Sequence, residues 1–161
     1  MGGILVFSWV SRPTVSQLEP VDYQAVAADA QRDTDVPLVV PKLPPGWTAN
    51  RAEFVTATTD GVDSWQIGLL TPSGQYIGLV QGLHANSSWV ADQTEHAEST
   101  GKVAIDGTDW NAYDRRDADD PGNLAYALVT PFGESTVVLG GTATDDEFAT
   151  LAESVATELA P

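Results

Sequence analysis

The sequence predicts an α+β fold: a single domain with one antiparallel sheet of about six to seven strands, formed by two tandem β-β-β-α repeats, with helices packed on one face and a short N-terminal helix ahead of them. Three observations carry this. The chain matches itself at an offset of 59 residues, placing Trp65–Gln75 on Leu124–Glu134 and the turn Thr71-Pro-Ser-Gly74 on Thr130-Pro-Phe-Gly133. Each of these turns lies between two β-forming runs, with Pro second and Gly fourth, the pattern of a hairpin turn with a glycine free for a bulge. Thr144-x-x-Glu147 then reads as a capping box opening a closing helix, whose Phe148, Leu151, Ala152, Val155 and Leu159 form one apolar stripe.

Taken in order, Met1–Val10 is apolar and is followed at once by the polar Ser11, Arg12 and Pro13. A membrane helix needs about 20 apolar residues, so this run is too short to span, and it lacks the basic leader and small-residue site of a signal peptide. Two readings stand: an N-terminal arm docked on the domain, or the outer half of a membrane anchor whose beginning is missing from this chain. Trp9 then sits where an interfacial aromatic belongs. Residues 1–20 are set apart as this run and its linker, and 21–161 as a single domain whose repeats cover about 42–100 and 101–159.

Asp22 is placed to cap a helix from Tyr23 to about Arg32, with Tyr23, Val26, Ala27 and Ala30 on one face. The strap from Val36 to Trp47 holds four prolines and is extended, with Trp47 as its anchor in the core. Strands are expected near 51–58, 63–71, 75–83, 109–115, 123–130 and 134–141, with a short extra one at 103–105. The register of the repeat also places Gly82 on Gly141 and Trp89 on Phe148, and gives the first half a weaker helix from Asn86 to about Thr94.

The order Pro-Leu-Pro-Pro-Gly-Trp47, Trp65 opening a strand that ends in Thr-Pro-x-Gly, Gly78-Leu-Val-Gln81, Ile105-Asp-Gly-Thr-Asp-Trp110, Val137-Val-Leu-Gly-Gly141 and a final Leu-Ala-Glu-Ser154 helix resembles the actinobacterial domain of unknown function 4245. The likeness runs from about Val21 to Leu159. It implies one N-terminal transmembrane helix before an extracytoplasmic domain at the cell membrane, and it favours the anchor reading of Met1–Val10. It implies no activity and no catalytic residues.

Composition excludes several chemistries. The chain has 161 residues, 42% of them apolar, and no cysteine, which removes disulfides, thiol catalysis and Cys-based zinc sites. A net charge of −16 argues against nucleic acid, whose affinity rests on Lys and Arg neutralising phosphates. The charge is uneven: residues 1–80 hold 8 acids and 4 bases, and residues 81–161 hold 15 and 3, which reads either as a solvated surface facing outside the cell or, more sharply, as a docking face for a basic partner.

The acidic loop Asp114–Asn123 fails as an EF-hand, since counting from Asp117 puts Pro121 and Leu128 at ligand positions five and twelve. It aligns with the Thr58–Ser64 loop and reads as a solvated strand connection. His84 and His96, twelve apart, form no helical ligand pair even with Glu95 and Glu98 nearby. No Gly-x-Ser-x-Gly elbow, Walker loop or Gly-x-Gly-x-x-Gly occurs. Trp65 and Trp89 align with the core-type Leu124 and Phe148. Trp47 and Trp110 align with Asp106 and Arg51, so these two are the candidate ligand-binding residues, against a plain role as strap anchor and sheet-edge cover.

The expected function is a binding or interaction module of the cell envelope, without catalysis, cofactor or metal. Its partner is an unknown envelope protein or a small apolar ligand. The alternatives are a small-molecule or lipid carrier or sensor with a sheet–helix pocket and, further off, a metal-dependent hydrolase.

Overall fold

The computed structural model describes residues 20–57 and 61–159. The expected anchor remnant and most of its linker, and Thr58 at the start of the first acidic loop, lie outside the described residues. Helix α1 (Tyr23–Gln31) leads into the strap, followed by β1 (Thr48–Val55), β2 (Ser64–Leu70), β3 (Tyr76–Leu83), α2 (Ser87–Gln93), β4 (Gly101–Ile105), β5 (Thr108–Asp114), β6 (Tyr126–Phe132), β7 (Ser135–Gly141) and α3 (Asp145–Leu159). The seven strands form one antiparallel sheet in the order β1-β2-β3-β7-β6-β5-β4, two meanders joined where β3 meets β7.

The caps lie where the residues place them. Asp22 Oδ1 accepts from the Ala25 amide at 3.1 Å, and Asn86 Oδ1 from the Trp89 amide at 2.8 Å. Thr144 Oγ1 and Glu147 complete a reciprocal capping box, at 3.1 and 3.2 Å. Glu147 reaches further, accepting from the Ser73 hydroxyl at 2.9 Å, and so ties the start of α3 to the first Thr-Pro-x-Gly turn.

One sheet face carries the main core. Trp65, Ile67 and Leu69 of β2, Ile77 and Leu79 of β3, Val137 and Leu139 of β7, Leu128 of β6 and Trp110 of β5 bury there under Ala27 and Ala30 of α1 and Phe148, Leu151, Ala152 and Val155 of α3. Leu159, the last residue of the expected stripe, lies outside the described side chains. The strap is fastened by side chains rather than by a ladder. Gln81, fully buried, accepts from the Val39 amide at 2.8 Å and donates to the Pro37 carbonyl at 3.0 Å, while the Trp65 indole donates to the Val39 carbonyl at 2.8 Å. Backbone groups of a proline-rich segment are thereby satisfied inside the core, where leaving them unpaired costs about 1–3 kcal/mol each.

The helices divide between the two faces. α1 and α3 share one face as expected, whereas Trp89 of α2 packs with Val62 of the β1–β2 connection and with Val129 and Val138, which alternate along β6 and β7 with Leu128, Val137 and Leu139 of the main core. The cause is the second turn. Thr71–Gly74 makes a loop outside the strands, closed by Gly74 donating to the Thr71 carbonyl at 2.9 Å, and Leu70 pairs with Tyr76. In the second half β6 runs on through Pro131, which pairs with Thr136, and only Gly133 and Glu134 turn the chain between Phe132 and Ser135. The two segments are hairpins but not equivalent ones. Core-facing residues in β3 and β7 consequently fall out of phase with the 59-residue offset by one position, and a one-residue slip exchanges the faces of a strand. Trp89 and Phe148 therefore serve different cores, and Gly82 and Gly141 different purposes. A Cβ at Gly82 would lie 2.8 Å from the Trp89 ring, and one at Gly141 2.0 Å from the Tyr76 carbonyl oxygen.

Candidate functional site

The main core is covered unevenly. At the β1 end, α1 and the strap overlie the sheet, a bulge between Ala49 and Arg51 breaks the edge, and the Val21 amide donates to the Ala49 carbonyl at 2.8 Å. At the β4 end the cover is α3, which approaches the edge strand. Between them runs an apolar groove of about 250 Å³, lined by Val103 and Ile105 of β4, Tyr126 and Leu128 of β6 and Phe148 and Ala149 of α3, with Asp145 at its rim. The volume is slightly under the usual range of small-molecule sites, about 300–1,000 Å³.

A polar latch closes one end of this groove. The Arg116 guanidinium lies 4.4 Å from the centre of the Tyr126 ring, bridges Asp145 at 2.5 Å and reaches Asp114 at 3.4 Å. Tyr126 meets Phe148 edge to face at 5.0 Å. Burial holds the Tyr126 hydroxyl pKa above its ordinary value, and the neighbouring Asp145 carboxylate adds to this while Arg116 opposes it. Arg116 comes from the acidic loop, whose other arginine is structural: Arg115 Nη1 donates to the Leu124 carbonyl at 2.7 Å. Asp117, Asp119 and Asp120 are exposed, in keeping with a solvated strand connection.

The edge beside the groove is unoccupied by any other strand among the described residues. Asp106 and Gly107, with φ of 49° and 80°, form the two-residue turn between the paired Ile105 and Thr108. In such a hairpin the flanking pair exchanges both backbone hydrogen bonds, and the pattern alternates from there. Ile105 and Val103 therefore bond to β5, while the N–H and C=O groups of Ala104 and Lys102 point outward. The other side of β5 agrees: the Asp109 carbonyl, opposite Ala104, turns to β6 and accepts from Thr130 Oγ1 at 2.9 Å. It takes the hydroxyl because Pro131 has no amide to offer.

A second groove, about 320 Å³, lies on the opposite face between α2 and the β5–β6 loop, with Tyr76, Val80, Val138 and Leu124 against Asp92 and Glu95. Its glycine floor is accounted for from within. A Cβ at Gly78 would lie 2.8 Å from the Tyr76 hydroxyl, and one at Gly140 2.6 Å from Leu124 Cδ1.

Trp47 and Trp110 are not brought together. Trp47 immediately precedes β1 at one end of the sheet and Trp110 lies on β5 near the other, both buried in the main core. Trp110 pairs with Val103, a wall of the first groove, and its indole Nε1 has no hydrogen-bond partner among the described residues. Sequence reasoning missed the lining residues Val103, Ile105, Tyr126 and Ala149; the half-buried alternation of Val103 and Ile105 beside a long helix was the available signal. His84 sits 3.6 Å from Glu134 and His96 3.2 Å from Asp92, two separate exposed pairs. Among the described residues no three His, Asp or Glu side chains are grouped to hold a metal ion, and no helix is long and apolar enough to cross a membrane.

The model of a family described as protein of unknown function (DUF4245) matches residues 1–155, nearly the whole chain. The chain belongs to the DUF4245 family. Comparison with curated proteins and with solved structures finds no match. In this DUF4245 protein the two ends of the sheet differ, and the β4 end carries the apolar groove.

Proposed function

We propose that this DUF4245 chain is the extracytoplasmic binding module of a membrane-anchored envelope protein, and that it binds in the groove between β4, β6 and α3. The observation that carries the reading is the groove itself: an apolar cleft of about 250 Å³ let into the main core beside an uncovered sheet edge. The apolar run Met1–Val10 and the membrane anchor that the family resemblance implies support the location. The strong negative charge suits a solvated surface outside the cell. Binding is preferred to catalysis because the polar groups at the groove, Arg116, Asp145 and Asp114, are spent on one another and leave no nucleophile–base pair.

The test is native mass spectrometry of the protein purified with its full native N-terminus from its own host, with solvent extraction of whatever is bound, beside an Ala149→Trp variant that fills the groove. A partner or small molecule retained by the wild type and lost from Ala149→Trp supports the reading. Retention by both places binding elsewhere and defeats it.

A further inference from the structure

Resting on that reading of the groove, we infer that its occupant is an extended peptide segment of a partner protein, added antiparallel to β4 as an eighth strand, with apolar side chains in the groove and a net positive charge. Three observations converge. The outward N–H and C=O groups of Lys102 and Ala104 recur every second residue, a spacing that an extended backbone matches. The same strand turns its alternate side chains, Val103 and Ile105, into the groove, so a segment paired to it lays every second residue over the same apolar surface. α3 forms the far wall, with Phe148 and Ala149 facing the peptide's side chains.

The two edges of the sheet differ in a way that isolates β4 as the docking strand. β1 is bulged, and Val21 already donates to it at 2.8 Å. β4 is short and carries one lysine, which discourages indiscriminate sheet pairing without blocking a single strand. Charge selects the partner. Asp106 and Asp109 flank the edge, Arg116 is engaged by Asp114 and Asp145, and the second half of the chain holds 15 acids to 3 bases. Such a field favours a segment in which lysine, arginine or threonine alternates with Val, Leu or Ile.

The test selects a phage-displayed library of random heptapeptides on the full chain and measures the enriched sequences as synthetic, fluorescein-labelled peptides by anisotropy. Ala104→Pro removes an outward amide at an edge position where proline is tolerated; Ala149→Trp fills the groove. The expected result is enrichment of alternating apolar and basic peptides, with affinity about tenfold lower for Ala104→Pro, the order of one lost hydrogen bond, and lower still for Ala149→Trp. Methylating alternate backbone nitrogens of the peptide repeats the first effect on unaltered protein, so misfolding of Ala104→Pro leaves the test intact. No enrichment over bare support overturns the proposal. Binding lost in Ala149→Trp but unmoved by Ala104→Pro and by peptide methylation also overturns it, while leaving the groove a site for small apolar ligands. Binding indifferent to every change overturns both readings.

Discussion

Leaving aside α1 and the strap ahead of the first half and the extra strand β4 that opens the second, the two halves have the same order of elements and nearly the same strand lengths, yet they finish differently. The first half turns through a loop at Thr71–Gly74 and delivers α2, a helix of 7 residues, to the second face. The second turns on Gly133–Glu134 and delivers α3, with 15 residues, onto the main core. One residue of register thus decides which helix closes the hydrophobic core. The second half ends in a groove between β4, β6 and α3, and the first in an edge strand, β1, that is bulged and held at Ala49 by the Val21 amide.

The comparison predicts unequal responses to substitution. Phe148→Ala removes the ring that joins α3 to the core and meets Tyr126; a loss of about 3–5 kcal/mol is expected, read as a global shift in the denaturant midpoint that all elements share. Gly82→Ala forces a methyl against Trp89 and should cost about 1–3 kcal/mol. Hydrogen exchange should confine much of that loss to α2, with the main core still protected. A global loss as large as that of Phe148→Ala would show that α2 is integral to the main core and break the comparison.

The smallest effect sharpens the link between the halves. Partial desolvation acts to raise the Glu147 pKa, but hydrogen bonds from the Thr144 amide, from Ser73 and from Thr71 outweigh it, and the carboxyl lies below its ordinary value of 4.5. A group whose pKa is lowered on folding adds stability that is fully present above its unfolded value and lost as pH falls through its folded value. Glu147→Gln should cost about 1 kcal/mol at neutral pH, the scale of a helix cap. It should also remove part of the decline in stability expected on acidifying the wild type below pH 4.5. Parallel pH profiles for the two proteins would rule out the clasp.

Much of this was legible in the sequence. The three helix starts announce themselves in Asp22, Asn86 and Thr144, and the strand runs lie within about three residues of their expected bounds, because capping and alternation are local signals. The α+β class and the single antiparallel sheet follow from them. The face occupied by α2 was not legible: Thr-Pro-x-Gly suits both a four-residue loop and a strand that runs through its proline, and only the partner strand decides between them. The buried Gln81 was equally silent, since its value lies in carbonyl and amide groups of a strap 42 and 44 residues away. The groove was expected only as a class of site. Its lining residues come from β4, β6 and α3, and Trp47 and Trp110, chosen for their chemistry, are core residues at opposite ends of the sheet.

The central claim is that the second half leaves a free strand edge beside an apolar groove, and residue-resolved amide hydrogen exchange of the unliganded protein tests it most directly. The amides of Val103 and Ile105, bonded to β5, should be protected, and those of Lys102 and Ala104 should exchange almost as fast as in an unstructured peptide. Uniform protection along β4, or the opposite alternation, would mean that the edge is covered, and would contradict both the groove's openness and the docking of a strand there.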